Sequence, residues 1–336
     1  MRTHRDFLME DAMTESTTGG LTGASGLEPL ERPQRVAVVG AGAIGGIVAE
    51  AAHTAGHHVT LCVRRPMGPL TVERDGLRRT VRLPVATRPD GLGAPVDWLL
   101  IATKAQDTRR TLGWIRRLAG PGTRVVVLQN GVDHEERLAP LLAVGELVPA
   151  LVYIAAERVS REHVQHRWGR RLVVPSGPAG ADLGRLFRGS DVDVVCEDDF
   201  TTAAWRKLMT NLAANPLTAL TLRRIGVLQQ PDLRELARGL LTEAVLVGRA
   251  EGARLVMSDV DQTLDLYSAM HPHSGTSMLY DRLAGRPVEH DLITGAVVRA
   301  ADRHEVPVPL NRAVLALLRA FGEQGAVGVQ PLAGVG

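Results

Sequence analysis

The sequence predicts an α/β fold, with an N-terminal Rossmann-type doubly wound parallel sheet followed by an all-helical C-terminal domain. Short apolar strands alternate with helical segments up to residue 195, which is typical of a parallel sheet covered by helices. A glycine-rich turn joins the first strand to the first helix. Beyond residue 196 the helical period continues almost unbroken, and 336 residues exceed what one hydrophobic core usually serves. We therefore expect two domains.

The elements follow in order from local composition. Val- and Leu-rich runs predict strands at 35–39, 59–63, 97–102, 124–128, 148–155, 171–175 and 191–195. Amphipathic runs predict helices at 44–55, 107–119, 133–142, 181–187, 198–213, 231–251, 259–270, 277–284, 289–304 and 310–321. We divide the chain into a flexible extension (1–34), a Rossmann domain (35–195), a helical domain (196–322) and a flexible tail (323–336).

The composition excludes several classes of function. A formal net charge of +2 without a basic stripe argues against nucleic acid as a partner. No apolar run reaches 18 residues and no secretory signal is present, so we expect neither a membrane span nor export. Two cysteines, Cys62 and Cys196, fit a reducing cytoplasm. The histidines lack a convincing ligand set, so we expect no metal.

The turn after the first strand has the pattern G-x-G-x-x-G, with glycines at 40, 42 and 45. The first glycine permits a tight turn, the second lets a pyrophosphate approach the backbone, and the third lets the helix pack closely on the strand. N–H groups at the helix start then face the anion. Within a βαβ unit the motif predicts a dinucleotide cofactor bound by residues Gly40, Gly42, Ala43, Ile44 and Gly45.

Arg64 and Arg65 follow the second strand. At this position a cofactor with a free ribose 2′-hydroxyl usually meets Asp or Glu, whereas a guanidinium matches a 2′-phosphate. We therefore expect NADP (NADPH) as the cofactor, with Arg64 as a ligand. The alternative is that both arginines are solvated loop charges.

Lysine is rare, since only Lys104 and Lys207 occur among 39 basic residues. An ammonium can release its proton and a guanidinium cannot, so a retained lysine is a candidate general acid. Chance retention is the alternative. Lys104 and Asn130 follow two predicted strands and lie at the carboxyl edge of the sheet, where ligands of doubly wound folds bind.

Lys207, Asn211 and Asn215 are spaced four apart, which predicts one face of a helix. We favour a polar stripe that lines a cleft over a solvated face, because short amides here replace the usual Arg, Glu and Asp. Ser277 and Glu289 stand at predicted helix starts, where hydroxyls and N–H groups suit a carboxylate ligand. They are alternatively ordinary helix-start residues.

These segments resemble the ketopantoate reductase (2-dehydropantoate 2-reductase) family. The matches run in order over about 35–321: the glycine motif, Arg64, T-K at 103–104, Q-N-G at 129–131, W-R-K-L-x-x-N-x-x-x-N-P-L-T-A-L at 205–220, T-S-M-L at 276–279 and G-R-P-V-E-H-D at 285–291. The resemblance implies NADPH-dependent reduction of a 2-oxo acid, ketopantoate to pantoate in pantothenate biosynthesis. It also implies a 6-phosphogluconate dehydrogenase-like domain arrangement.

The resemblance further implies a role for each matching residue. Lys207 would be the general acid that protonates the new alkoxide, and Glu289 would hydrogen-bond the substrate hydroxyl. Asn211, Asn215 and Ser277 would bind the substrate's polar groups. Lys104 and Asn130 would border the nicotinamide. A homodimer is compatible with the resemblance, although the sequence does not reveal the oligomeric state.

Two positions depart from the family pattern on the substrate side. Thr294 stands where Asn is usual, and Tyr280 replaces a common Gln. These changes leave open a paralogous reductase acting on another 2-oxo acid or an imine. The alternative from a different class is a non-catalytic NADPH-sensing protein.

Overall fold

The computed structural model describes residues 22–23, 30–93, 95–104 and 107–324. The predicted extension (1–34) and tail (323–336) lie largely outside the described residues. The chain divides into two compact units, Met1–Phe200 and Thr201–Gly336. Within the described ranges, no helix is both long and apolar enough to cross a bilayer.

The first unit, as far as it is described, contains twelve strands and four α-helices. The strands are β1 (Thr22–Gly23), β2 (Arg35–Val39), β3 (His58–Cys62), β4 (Leu70–Arg74), β5 (Leu77–Val81), β6 (Val85–Ala86), β7 (Trp98–Ile101), β8 (Arg124–Val127), β9 (Glu146–Pro149), β10 (Leu151–Arg158), β11 (His163–Pro175) and β12 (Asp193–Glu197). The helices are α1 (Ala43–Thr54), α2 (Thr108–Leu118), α3 (His134–Leu138) and α4 (Pro178–Leu186).

Six of these strands form a parallel sheet in the order β6-β3-β2-β7-β8-β9. Counted among themselves, the strands have the order 3-2-1-4-5-6 of dinucleotide-binding folds, which reverses direction between β2 and β7. Alternate residues of β2 face opposite sides: Val36 and Val38 join one apolar cluster, and Ala37 and Val39 join the other. The predicted fold class is confirmed.

A second sheet lies behind α1. Its strands follow the order β1-β12-β11-β4-β5, and β10 pairs with β11. Ile47 of α1 shares an apolar cluster with Val164 and Leu172 of β11, so α1 is packed between the two sheets. The other face of the parallel sheet is covered by Trp114 and Ile115 of α2.

The first unit differs from the prediction in several strands, and two of the differences have a physical reason. The run 148–155 is two strands, because β9 ends at Pro149 against β8 and β10 then pairs with β11 in the other sheet. Proline has no N–H with which to extend a ladder. The β4–β5 hairpin was not predicted. Its turn residues Asp75 and Gly76 both have positive φ, as type I′ turns require, but the exposed stretch 77–80 shows little apolar patterning.

The second unit is helical throughout its described part. Its helices are α5 (Phe200–Leu212), α6 (Ala214–Thr221), α7 (Pro231–Ala250), α8 (Ser258–Ala269), α9 (Ser277–Leu283), α10 (Thr294–Arg303) and α11 (Pro309–Gln324), with a 3₁₀ turn at Ile225–Gln229. Helix α6 was not predicted. The prediction that Lys207, Asn211 and Asn215 lie on one helix is wrong, because the helix is interrupted at Ala213 and Asn215 lies in the first turn of the next helix.

The break has an identifiable cause. Pro216 has no N–H to donate to a carbonyl one turn earlier, so the helix of α5 does not continue through it. The buried Tyr267 hydroxyl donates to the carbonyls of Met209 and Thr210 in the last turn of α5, at 2.9 and 3.1 Å. Burial raises the pKa of Tyr267, which keeps the hydroxyl protonated as a donor.

Helices α6 and α9 are joined by three polar contacts. The buried hydroxyls of Thr218 and Thr276 lie 2.7 Å apart. Arg282 donates to carbonyls at the carboxyl end of α6, and Arg224 donates to the Tyr280 hydroxyl at 3.0 Å. The contacts fix the spacing between α6, which carries Asn215, and the start of α9.

We predict that Thr218→Val lowers the free energy of unfolding by about 1–3 kcal/mol, because it leaves the buried Thr276 hydroxyl without that partner. Thr221→Val is the matched control, since Thr221 lies on the same helix and bonds only to a carbonyl one turn back. Urea unfolding of both variants measures the difference. Equal losses in the two variants would contradict the interhelical contribution.

Candidate active site

The three glycines of the turn at the end of β2 differ in whether the fold leaves room for a side chain. Gly40 has φ +100°, and a Cβ there would lie 2.9 Å from Thr103 Cγ2. A Cβ on Gly45 would lie 1.8 Å from the Gly40 carbonyl oxygen. A Cβ on Gly42 would meet no atom within 4 Å. The fold itself therefore requires the first and third glycines, while the second leaves the backbone open to approach.

Helix α1 starts directly at this open position. Ala43 and Ile44 are its first residues, and Gly42 precedes them without a side-chain cap. N–H groups of a first helical turn have no acceptor within their own helix, and they carry partial positive charge. The turn thus offers an uncovered backbone and oriented donors, which fit a cofactor's pyrophosphate.

The ends of β7 and β8 are tied together by a buried amide. Gln129 Nε2 donates to the Thr103 carbonyl at 2.9 Å, and Gln129 Oε1 accepts a hydrogen bond from Arg137 at 3.0 Å. Lys104 and Asn130, the neighbours of Thr103 and Gln129, are both half-buried at this edge. The structure therefore brings these two sequence-predicted residues to the same edge of the sheet. Sequence reasoning missed Gln129, which holds that edge.

His134 supports the same loop from below. Its Nε2 lies 2.7 Å from the Gln129 carbonyl oxygen. Burial lowers the pKa of His134 to about 4, so the ring is neutral near pH 7 and donates its proton to that carbonyl. Arg137 is held in turn by Asp133 at 2.9 Å. These contacts fix the backbone on both sides of Asn130.

Arg64 is exposed in the loop that follows β3. The last bond to the sheet before it is donated by the Val63 N–H to the Ala86 carbonyl of β6, at 2.9 Å. Arg64 therefore lies just beyond the carboxyl end of the second strand of the βαβ unit. This is the position at which Rossmann folds meet the adenosine ribose.

The second unit carries the remaining candidates on α5, on α6 and beside α9 and α10. Lys207 and Asn211 are half-buried on α5. Asn215 is only 3% exposed, and its Nδ2 has no hydrogen-bond partner among the described residues. A buried amide donor without a partner is costly, so this atom suits a ligand that accepts a hydrogen bond. Ser277 is exposed and Glu289 is half-buried.

Ser277 is the first residue of α9, as the helix-start interpretation has it, but that interpretation is wrong for Glu289. Thr276, not Ser277, caps α9, because its hydroxyl accepts the Leu279 N–H at 3.2 Å. Glu289 lies in the loop before α10, which begins only at Thr294, so the predicted helix 289–304 is too long at its start. Neither side chain serves as a helix cap.

The two departures from the family pattern occupy different surroundings. Tyr280 is exposed and its hydroxyl accepts from Arg224, whose guanidinium also lies 5.4 Å from the ring centre. A Cβ on Gly275 would lie 2.6 Å from the Tyr280 ring, so the preceding loop packs directly against it. Thr294 is fully buried, and no described residue pairs with its hydroxyl.

Comparison with known proteins agrees with both units. The family model "Ketopantoate reductase PanE/ApbA" matches residues 36–178, and "Ketopantoate reductase PanE/ApbA C terminal" matches residues 199–322. The chain is 41% identical over 286 residues to a 2-dehydropantoate 2-reductase of Caulobacter vibrioides, covering 85% of this chain and 98% of that protein. A 2-dehydropantoate 2-reductase of Mycobacterium tuberculosis is 40% identical over 289 residues, covering 86% and 98%.

Solved structures agree as well. A dimeric ketopantoate reductase from Staphylococcus aureus superposes with a TM-score of 0.79 at 26% identity, covering 87% of this chain and 99% of that one. The predicted family is thereby confirmed over the described parts of both units. The chain belongs to the ketopantoate reductase family of nicotinamide-dependent oxidoreductases.

Proposed function

We propose that this protein reduces the ketone of 2-dehydropantoate to give pantoate, using NADPH. The observation that carries the proposal is the match of both family models, one to each unit, in a chain whose first unit has an open glycine turn at a Rossmann switch point. In this proposal residues 35–195 are the NADP-binding domain and residues 196–322 are the substrate domain.

The cofactor would be held by the residues that surround the carboxyl edge of the parallel sheet. The backbone at Gly40, Gly42, Ala43, Ile44 and Gly45 would bind the pyrophosphate, and Arg64 the 2′-phosphate. Lys104 and Asn130 would border the nicotinamide. When bound, NADPH supplies the hydride that reduces the ketone carbon.

The substrate chemistry would come from the second unit. As negative charge builds on the former ketone oxygen, the Lys207 ammonium would stabilise it and transfer one proton from Nζ. The unpaired Nδ2 of Asn215 supports a role as donor to the substrate, together with Asn211 and Ser277. Glu289 would accept a hydrogen bond from the substrate hydroxyl.

Two further expectations extend from the family to this chain. The Staphylococcus aureus relative is dimeric, so we propose a homodimer for this protein too. The low cysteine content favours a cytoplasmic location.

A second candidate function is reduction of another 2-oxo acid. It is favoured by Tyr280, whose ring and hydroxyl hold the loop directly before Ser277 through Gly275 and Arg224. A Gln at that position has no ring to place there. The loop before Ser277 would thus be shaped differently from that of relatives with Gln at position 280.

A direct spectrophotometric assay of NADPH oxidation tests the function. We expect steady NADPH oxidation with 2-dehydropantoate and a roughly tenfold or larger preference over NADH, because a charge-assisted contact contributes about 1.5–3 kcal/mol. A higher kcat/KM for another 2-oxo acid in a panel would select the second candidate. If no 2-oxo acid or imine supports NADPH oxidation, the enzyme proposal fails and a sensor remains.

Lys207→Arg should lower kcat by about 10²–10⁴-fold, because a guanidinium keeps its proton, while NADP⁺ binding is retained. Arg206→Lys is the control at the adjacent position, since lysine preserves the charge that pairs with Asp259. We expect near-normal kcat for this control. Near-normal turnover in Lys207→Arg would remove Lys207 from the acid role.

The glycine turn predicts opposite phenotypes for two substitutions. Gly45→Ala should prevent stable folding, because its methyl would overlap the Gly40 carbonyl oxygen. Gly42→Ala should fold normally, since its methyl meets no protein atom, but bind NADP⁺ at least roughly tenfold more weakly. Gly122→Ala, equally open, is the control. Thermal unfolding and fluorescence titration with NADP⁺ measure the two effects; unaltered binding in Gly42→Ala would contradict the assigned pyrophosphate site.

A further inference from the structure

Two arginines of the β10–β11 turn lie against the loop that follows β3. Arg161 donates to the Pro66 carbonyl at 3.4 Å, although the two residues are 95 positions apart in the chain. Arg158 donates to the carbonyls of Ser160 and Arg161 at 3.2 and 3.0 Å. Pro66 closely follows Arg64. Arg161 therefore contacts the loop that carries Arg64, and Arg158 is bonded to the backbone of Arg161.

The backbone fixes this turn in place. The Thr71 N–H donates to the Glu162 carbonyl at 2.7 Å, and His163 lies opposite Thr71 where β11 runs parallel to β4. The Gly68 N–H also contacts the Glu162 carboxylate at 3.4 Å. Val164 packs on α1 so closely that a Cβ on Gly46 would lie 2.8 Å from it. The position of the turn thus follows from the strand pairing and the core.

The charges at this place are unbalanced. Arg64, Arg158 and Arg161 form no ion pair with any carboxylate of the described chain. Burial and the positive charges of Arg161 and Arg64 lower the pKa of the Arg158 guanidinium, and Glu162 offsets this only in part. Gathering like charges costs free energy, and an anion bound among them offsets that cost.

Two other arginines of the same hairpin have carboxylate partners. Arg167 pairs with Glu157 at 2.5 Å, and Arg170 pairs with Asp193 at 3.0 Å. A structural role in the turn accounts for the hydrogen bonds of Arg158. It does not explain why the guanidinium pairs with no carboxylate of the described chain. Arg158 and Arg161 both lie at the end of the hairpin that touches the Arg64 loop.

We propose that Arg158 and Arg161 complete, with Arg64, a three-guanidinium site for the 2′-phosphate of NADP(H), and that the hairpin thereby sets cofactor preference. The inference rests on the proposed use of NADPH. It adds residues from a separate sheet to the position where Rossmann folds discriminate the ribose 2′-group. The ligand chemistry is a phosphate monoester on a ribose, for which planar, permanently charged guanidinium groups are well suited.

Equilibrium titration with NADP⁺, NAD⁺ and adenosine 2′,5′-bisphosphate tests the proposal without turnover. We expect Arg158→Gln and Arg161→Gln each to raise Kd for NADP⁺ and the bisphosphate about tenfold or more, with Kd for NAD⁺ unchanged. Arg167→Gln is the matched control on the same hairpin and should change none of them. Arg158→Lys, which keeps the charge, should restore part of the NADP⁺ affinity.

The outcomes separate this inference from the cofactor assignment. If the wild type prefers NADP⁺ and Arg64→Gln abolishes that preference, while Arg158→Gln and Arg161→Gln bind like the wild type, only the hairpin's role is overturned. Parallel losses of NADP⁺ and NAD⁺ affinity in the hairpin variants would also overturn it, because they indicate a structural role. Equal wild-type affinity for both cofactors overturns the NADPH assignment itself and this inference with it.

Discussion

The contact between the backbone of Gly45 and the carbonyl oxygen of Gly40 constrains the whole first unit. Because a Cβ on Gly45 would lie 1.8 Å from that oxygen, α1 starts immediately where β2 ends. The next glycine, Gly46, brings the same helix close to β11, since a Cβ there would lie 2.8 Å from Val164 Cγ2. Two successive glycines thus press α1 against both sheets, and the second contact seats the β10–β11 hairpin beside the loop that leaves β3.

The second unit depends on the interruption between helices α5 and α6, whereas the first depends on a close backbone contact. Pro216 has no N–H for the Leu212 carbonyl, and the Tyr267 hydroxyl bonds to the carbonyls of Met209 and Thr210 in the last turn of α5. Asn215 therefore lies in the first turn of a new helix and is buried, with an Nδ2 that has no partner among the described residues. The hydroxyl contact between Thr218 and Thr276 then fixes that helix relative to α9. The polar groups of this unit are thus positioned by the ends of its helices and by the hydrogen bonds that side chains make there.

Local patterns were sufficient for part of this structure. The parallel strands and the glycine turn were predicted because an apolar run or a G-x-G-x-x-G motif determines local structure within a few residues. The predicted helix 198–213 ends close to where α5 ends, but Asn215 was still assigned to its face because a four-residue spacing was given more weight than Pro216. Thr276 as the cap of α9 was missed because its hydroxyl and that of Ser277 are adjacent in sequence. Arg161 beside Pro66 had no local signal, since a pairing between distant strands creates that contact.

The arginine-rich composition explains why residue type alone points to one proposed site and conceals the other. Arg167 and Arg161 lie on the same hairpin, and only the carboxylate opposite Arg167 distinguishes a structural ion pair from a cation available to a ligand. Such a distinction needs coordinates. Lysine is different, because the chain has only two, and a compact ammonium can transfer a proton. In a chain that uses guanidinium for nearly all its positive charge, the choice of Lys at position 207 carries chemical information, whereas an arginine does so only through its partners.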